Sequence, residues 1–258
     1  SVASSHSHDP VNLCARRAIR VATPHPANST DTMTTFDRRR FLTGTLQGLA
    51  LASLGRIAPA KATENFTPLR ALASAKGLSF GFAVDPARIA ADGAYRDFVA
   101  QQANLLVPEN ALKWAEVHPA RDRFDFGPVD GLVGFAKVHG LRVRGHTLCR
   151  HRALPGWLQH IAREDAEAVL TSHIRAVVGH YRGRMVSWDV VNEGIEPGDG
   201  QPGGMRDGFW YRMLGERYLD IAYRVAHEAD PQAVLCYNDY GLELDTPSSE
   251  RKRGAVLD

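Results

Sequence analysis

Short apolar runs alternate with stretches in which apolar residues recur every three or four positions through most of this chain. The short runs, at 78–84, 104–107, 141–146, 185–191 and 233–237, predict strands. The longer pattern predicts helices at 69–76, 95–103, 129–139, 165–181 and 211–229, with a further helix starting at 249–253. Leu132, Val133, Phe135, Ala136 and Val138 give 129–139 an apolar face, and Gly140 stands where a helix commonly ends. Leu170, Ile174, Val177, Val178 and Tyr181 repeat at helical spacing, and Asp165 offers a cap in front of them. Met185, Val186, Trp188, Val190 and Val191 make a nearly continuous apolar run, which is how a strand covered on both faces reads.

Strands alternating with helices predict βα units and a parallel sheet. The polar residues that break the pattern fall at predicted strand ends: Glu109-Asn110, His146, Asn192-Glu193 and Asn238-Asp239. One rim of a (β/α)8 TIM barrel collects such residues more completely than an open doubly wound sheet does. The expected fold class is therefore α/β, a (β/α)8 barrel represented by about five βα units. No glycine-rich phosphate loop follows the first predicted strand, which lowers a dinucleotide-binding reading.

Composition narrows this picture. The 258 residues are 44% hydrophobic, enough for one globular domain with a sizeable core. A net charge of +2 gives no reason to expect nucleic acid or an anionic membrane as partner. Cys14, Cys149 and Cys236 show no C-x-x-C spacing, and no H-E-x-x-H occurs. Neither a zinc site nor a disulfide framework is indicated, and no metal or organic cofactor is expected.

The N-terminal stretch reads differently. Residues 1–32 mix Ser, His, Asn, Pro and Arg without apolar periodicity and are expected to be disordered or an upstream extension. Met33 is the first candidate initiator. Arg38-Arg39-Arg40 then precede Phe41-Leu42, an apolar stretch reaches about Leu54, and Ala58-Pro59-Ala60 has the spacing of a cleavage site. Residues 33–62 thus predict a twin-arginine-type signal peptide, with the barrel over 63–258 and a periplasmic or secreted location. The apolar stretch is too short and interrupted for a spanning helix, so no membrane attachment is expected of the mature form.

The chemistry centres on Asn192 and Glu193. A carboxyl beside an amide at the end of a barrel strand suits acid/base work on a hydroxyl-rich substrate. The alternative is a solvated loop carboxylate. Four motifs in order bear on the choice: Glu109-Asn110-Ala111-Leu112-Lys113-Trp114, Gly145-His146-Thr147-Leu148-Cys149-Arg150-His151, Trp188-Asp189-Val190-Val191-Asn192-Glu193, and Tyr237-Asn238-Asp239-Tyr240. Together they resemble glycoside hydrolase family ten, the endo-β-1,4-xylanases, over roughly residues 69–258.

The resemblance implies a retaining hydrolase of β-1,4-xylan, acting on xylan or xylo-oligosaccharide as a monomer. It implies that Glu193 is the general acid/base and that Asn192 holds the 2-hydroxyl of the sugar. It implies that Glu109, Asn110 and Lys113 bind the xylose on the non-reducing side, with His146, His151 and Asn238 lining the site. Trp114 and Trp157 suit either core packing or a sugar-facing surface. Two departures stand out. Arg150 replaces the family's Trp, adding a fixed charge beside the reaction centre. The family's nucleophile, a Glu in a T-E-L-D-like strand, has no counterpart, and neither Asp239 nor Glu243 matches it. Retaining cleavage needs two carboxyls about 5–5.5 Å apart, so this fragment is expected to be inactive alone. Another retaining β-glycanase, a cellulase or mannanase, and a non-catalytic sugar-binding remnant are the alternatives.

Overall fold

A computed structural model of the chain describes residues 20–22 and 66–257. Among these, six strands form one sheet in chain order: β1 (Arg20–Ala22), β2 (Phe80–Val84), β3 (Leu105–Pro108), β4 (Arg142–Arg150), β5 (Ser187–Asn192) and β6 (Val234–Asn238). Every neighbouring pair is parallel. From β2 onward, helices connect the strands, which makes a run of the βα units that build a (β/α)8 barrel. Arg20–Ala22 and the chain from Pro68 onward belong to one compact unit; Thr23–Thr67 form another, of which only Phe66 and Thr67 are described.

The five strands expected from the apolar runs are all present. The sixth, β1, lies in the stretch expected to be disordered or an upstream extension, where the sequence carries no apolar periodicity. It pairs with β2, Arg20 opposite Phe80 and Ala22 opposite Phe82, and an open sheet edge offers unpaired backbone groups to such a strand. The remainder of residues 1–65, including the expected signal at 33–62, lies outside the described residues.

Several boundaries move for identifiable reasons. β4 runs on to Arg150, four residues past the predicted end at His146, because it pairs along the whole of β5 from Arg144 opposite Ser187 to Arg150 opposite Asn192. His146 is therefore inside a strand rather than at its end. The helix expected over 211–229 is two, Phe209–Leu214 and Arg217–Ala229, divided where Gly215 takes a left-handed φ of 63°. Asp165 stands in front of the Ala166–His180 helix but makes no capping hydrogen bond; its carboxylate faces Arg121 at 3.8 Å. The helix Pro86–Ala91 was not expected. Asp85 caps it by accepting from Ala87 N–H, and Pro86 fills its first position.

The core lies between the sheet and its helices. Leu170, Ile174, Val177 and Val178 are fully buried, as their helical spacing predicts. Trp188 is also fully buried, and its indole lies directly against the β4 backbone at Gly145. A Cβ on Gly145 would sit 2.2 Å from Trp188 Cε3, so only glycine fits there. That close fit fixes β4 against β5, the two strands whose ends carry most of the predicted site. Among the described residues, no helix is long and apolar enough to cross a membrane.

Candidate active site

Because every strand runs the same way, their C-terminal ends share one rim. Glu109 follows Pro108, the last residue of β3, and Arg150 ends β4. Asn192 ends β5 with Glu193 directly after it, and Asn238 ends β6. Pairing sets Arg150 beside Asn192 and Asn192 beside Asn238. Asn238 Nδ2 donates to Asn192 Oδ1 at 2.6 Å. Asn192 is buried, and its own Nδ2 has no protein partner. An unmet buried donor costs about 1–3 kcal/mol, which a hydroxyl accepting that hydrogen bond would recover.

Glu193 has a left-handed backbone, φ 57°, rare for any residue but glycine. Such a conformation costs on the order of 1–3 kcal/mol and persists only where neighbours over-determine it. Its N–H donates to Asn238 O at 2.8 Å, and its carbonyl accepts from Arg206 Nε at 2.7 Å. On the carboxylate, Arg150 Nη2 donates to Oε1 at 3.3 Å, and His151 Nδ1 lies 3.6 Å from Oε2. Burial holds the His151 pKa below the usual histidine range, reinforced by the positive charge of Arg206 and only partly opposed by Glu193. His151 is thus a neutral ring beside the carboxylate near pH 7.

His146 Nδ1 lies 2.9 Å from Asp189 Oδ2, and Arg144 Nε donates to the other oxygen of Asp189 at 2.8 Å. Thr147 Oγ1 adds a bond to the Asp189 carbonyl at 2.7 Å. Lys113 Nζ donates to Asn110 Oδ1 at 2.6 Å. Burial lowers the Lys113 pKa, and the charge of Arg150 lowers it further, while Glu109 and Glu193 raise it. Lys113 therefore lies within electrostatic reach of the ends of three strands. Glu109 and Asn110 are exposed beside it. Among the described residues, no group of three or more His, Cys, Asp or Glu side chains could hold a metal ion.

For Trp114 the alternative closes on packing, whereas Trp157 is half-buried. Trp114 is buried, stacks on His173 with ring centroids 3.4 Å apart, and donates to Leu148 O at 2.6 Å. Trp157 packs against His118 and donates to its carbonyl at 3.1 Å. Asp239 has a buried side chain held by Lys252 Nζ at 2.6 Å and by the Tyr237 hydroxyl, whereas Glu243 is exposed. Sequence reasoning missed Asp189, Arg144 and Arg206. The first two carried a signal, a charge inside an otherwise apolar strand, which is stable only when paired. Arg206 lies in an irregular loop and carried none.

The family model described as Glycosyl hydrolase family 10 matches residues 68–257. The chain belongs to glycosyl hydrolase family 10. It is 44% identical over 149 residues to a Beta-1,4-xylanase of Dictyoglomus thermophilum, covering 58% of this chain and 42% of that one. It is 40% identical over 180 residues to Endo-1,4-beta-xylanase B of Thermotoga neapolitana, covering 68% and 51%. Among solved structures it resembles xylanase 10B from Thermotoga petrophila RKU-1, determined in complex with xylobiose. The two share 36% identity and a TM-score of 0.67, over 74% of this chain and 58% of that one. The chain thus spans about half the length of the curated relatives it matches. Its fold is the corresponding part of the family's (β/α)8 barrel.

Proposed function

We propose that the full-length protein is an endo-1,4-β-xylanase that cleaves xylan with retention of configuration, with Glu193 as its general acid/base. The observation that carries this reading is the arrangement of Glu193 itself. A carboxyl stands on a strained left-handed turn at the end of β5, with an unmet amide donor on the preceding residue and a second amide across the β5–β6 pair. Xylanase relatives 40–44% identical to this chain support the substrate class.

In this mechanism a sugar lies along the rim with its 2-hydroxyl on Asn192 Nδ2, which supplies the missing partner. Glu109, Asn110 and Lys113 hold the adjoining xylose through hydroxyl contacts, and His146, oriented by Asp189, lies between. Glu193 gives its proton to the departing glycosidic oxygen. A second carboxylate attacks the anomeric carbon and forms a glycosyl-enzyme. That nucleophile has no counterpart in residues 68–257 and comes, in this proposal, from outside them. Glu193, now ionised, takes a proton from water as the water displaces the enzyme carboxylate. The protein works as an exported monomer, consistent with the signal-like pattern at 33–62.

Three polymers separate this reading from its rivals. The protein expressed from its complete gene is expected to release reducing ends from xylan in preference to β-1,4-glucan and β-1,4-mannan. A preference for glucan or mannan would make it a different β-glycanase. Binding of xylo-oligosaccharide without turnover would make it a sugar-binding protein.

A further inference from the structure

The carboxyl assigned to proton transfer stands on a backbone that must be held, and the holding side chains come from the next loop, from β6 and from the turn after it. Four consecutive residues are each tied down. Glu193 O accepts from Arg206 Nε at 2.7 Å, and Gly194 O accepts from the backbone N–H of Arg206 at 2.8 Å. Ile195 N–H donates to the Tyr237 hydroxyl oxygen at 2.9 Å, and Glu196 N–H donates to Gly204 O at 2.8 Å. Arg206 thus grips this segment twice, once through its backbone and once through its side chain.

The guanidinium is itself fixed. Arg206 Nη2 donates to Glu196 Oε2 at 3.1 Å and to the Tyr240 hydroxyl at 3.2 Å, and that hydroxyl donates to Glu196 Oε2 at 3.0 Å. Lys252 Nζ lies 3.8 Å from the Tyr240 ring centroid and 4.0 Å from Glu196 Oε2. The Arg206 side chain is only 13% exposed, so its geometry is set by these partners rather than by solvent. A planar fork with Nε and Nη2 on different acceptors transmits direction as well as charge, which lysine cannot do.

We propose that Arg206 is a positioning residue, which locks the left-handed turn at Glu193 and so aims its carboxyl at the departing oxygen, with Glu196 and Tyr240 fixing the guanidinium. The proposal rests on the acid/base reading of Glu193. It has a specific consequence. Misaiming the acid harms cleavage of a poor leaving group, which needs a proton, and spares a good one, which does not. A loss of overall stability makes no such distinction.

The test uses the full-length protein and two aryl β-xylobiosides, one with a phenol and one with a dinitrophenol leaving group. Glu193→Gln, Arg206→Met and Arg206→Lys are compared by kcat/KM, which reports the first bond cleavage. Arg206→Met is expected to lose about 10–100-fold on the phenyl substrate, the scale of a misplaced catalytic group. Its loss on the dinitrophenyl substrate is expected to stay within about threefold. Arg206→Lys is expected to move the same way by less, and it carries the test alone where Arg206→Met does not fold. Equal losses on both substrates, or none on the phenyl one, in the Arg206 variants would overturn the positioning role while Glu193→Gln still shows the split. Absence of the split in Glu193→Gln would instead remove the acid/base reading, and this proposal with it.

Discussion

His146 and Asp189 face each other across β4 and β5, with Nδ1 2.9 Å from Oδ2 and Arg144 on the other carboxylate oxygen. The contact engages Nδ1 of the imidazole and so fixes the orientation of the ring. The carboxylate is nearly buried, at 3% exposure, and it is paired with the Arg144 guanidinium. Asp189→Asn keeps the shape and removes the charge. Removing one charge of a buried pair costs about 3–5 kcal/mol, because the ionic hydrogen bonds of the carboxylate to Arg144 and His146 are lost in a site shielded from water. Urea unfolding of the variant is expected to show a loss of that order, and a loss near zero would mean that the Asp189 charge does not contribute to stability.

Gly145 makes a second stability prediction. The Trp188 ring occupies the space of its missing side chain, and both belong to the strands that present the site. Gly145→Ala forces β4 and β5 apart or tips the indole out of the core. Overpacking of this kind costs about 1–3 kcal/mol and sometimes more, and the expected result lies at the upper end. A thermal melt checks it, and an unchanged midpoint would contradict the packing described here.

Acid sensitivity follows from two buried histidines, His118 and His173, and the half-buried His151. His118 and His173 are buried with Nδ1 atoms 3.1 Å apart, one donating and one accepting, so at least the accepting ring is neutral. Burial pushes the His173 pKa well below the usual value, with the neighbouring His118 adding to it, and burial also lowers His118 and His151. A histidine whose pKa is lowered on folding binds its proton more readily in the unfolded chain. Its contribution to stability is therefore complete above the unfolded value of about 6.5 and falls away as pH drops below it. Unfolding free energy measured from pH 7.5 to 5 is expected to decline, and His173→Gln is expected to flatten that decline. A slope unchanged by the substitution would exclude His173 as its source.

Much of this architecture was legible in the chain. The run from Met185 to Val191 identified β5 because a strand covered on both faces has to be apolar throughout. The residue directly after it, Glu193, followed from the place where strand ends gather. Two kinds of information were not local. β4 is long because of what it pairs with, and the position of His146 within it depends on β5 rather than on its own sequence. The support beneath Glu193 comes from Arg206, Glu196 and Tyr240, which become neighbours only through loop folding. Trp114 illustrates the converse. Its motif pointed to the site, but it is buried in the core against His173 and Trp210.

The central claim is that Glu193 moves the proton in xylan cleavage, and it is tested most directly by the rate of reducing-end release from xylan by full-length Glu193→Gln beside the unmodified protein. The glutamine keeps the volume and the Arg150 contact but cannot donate a carboxylic proton. The account predicts a loss of about 10²–10⁴-fold, the usual contribution of a positioned acid. Turnover of xylan by Glu193→Gln at the unmodified rate would contradict it.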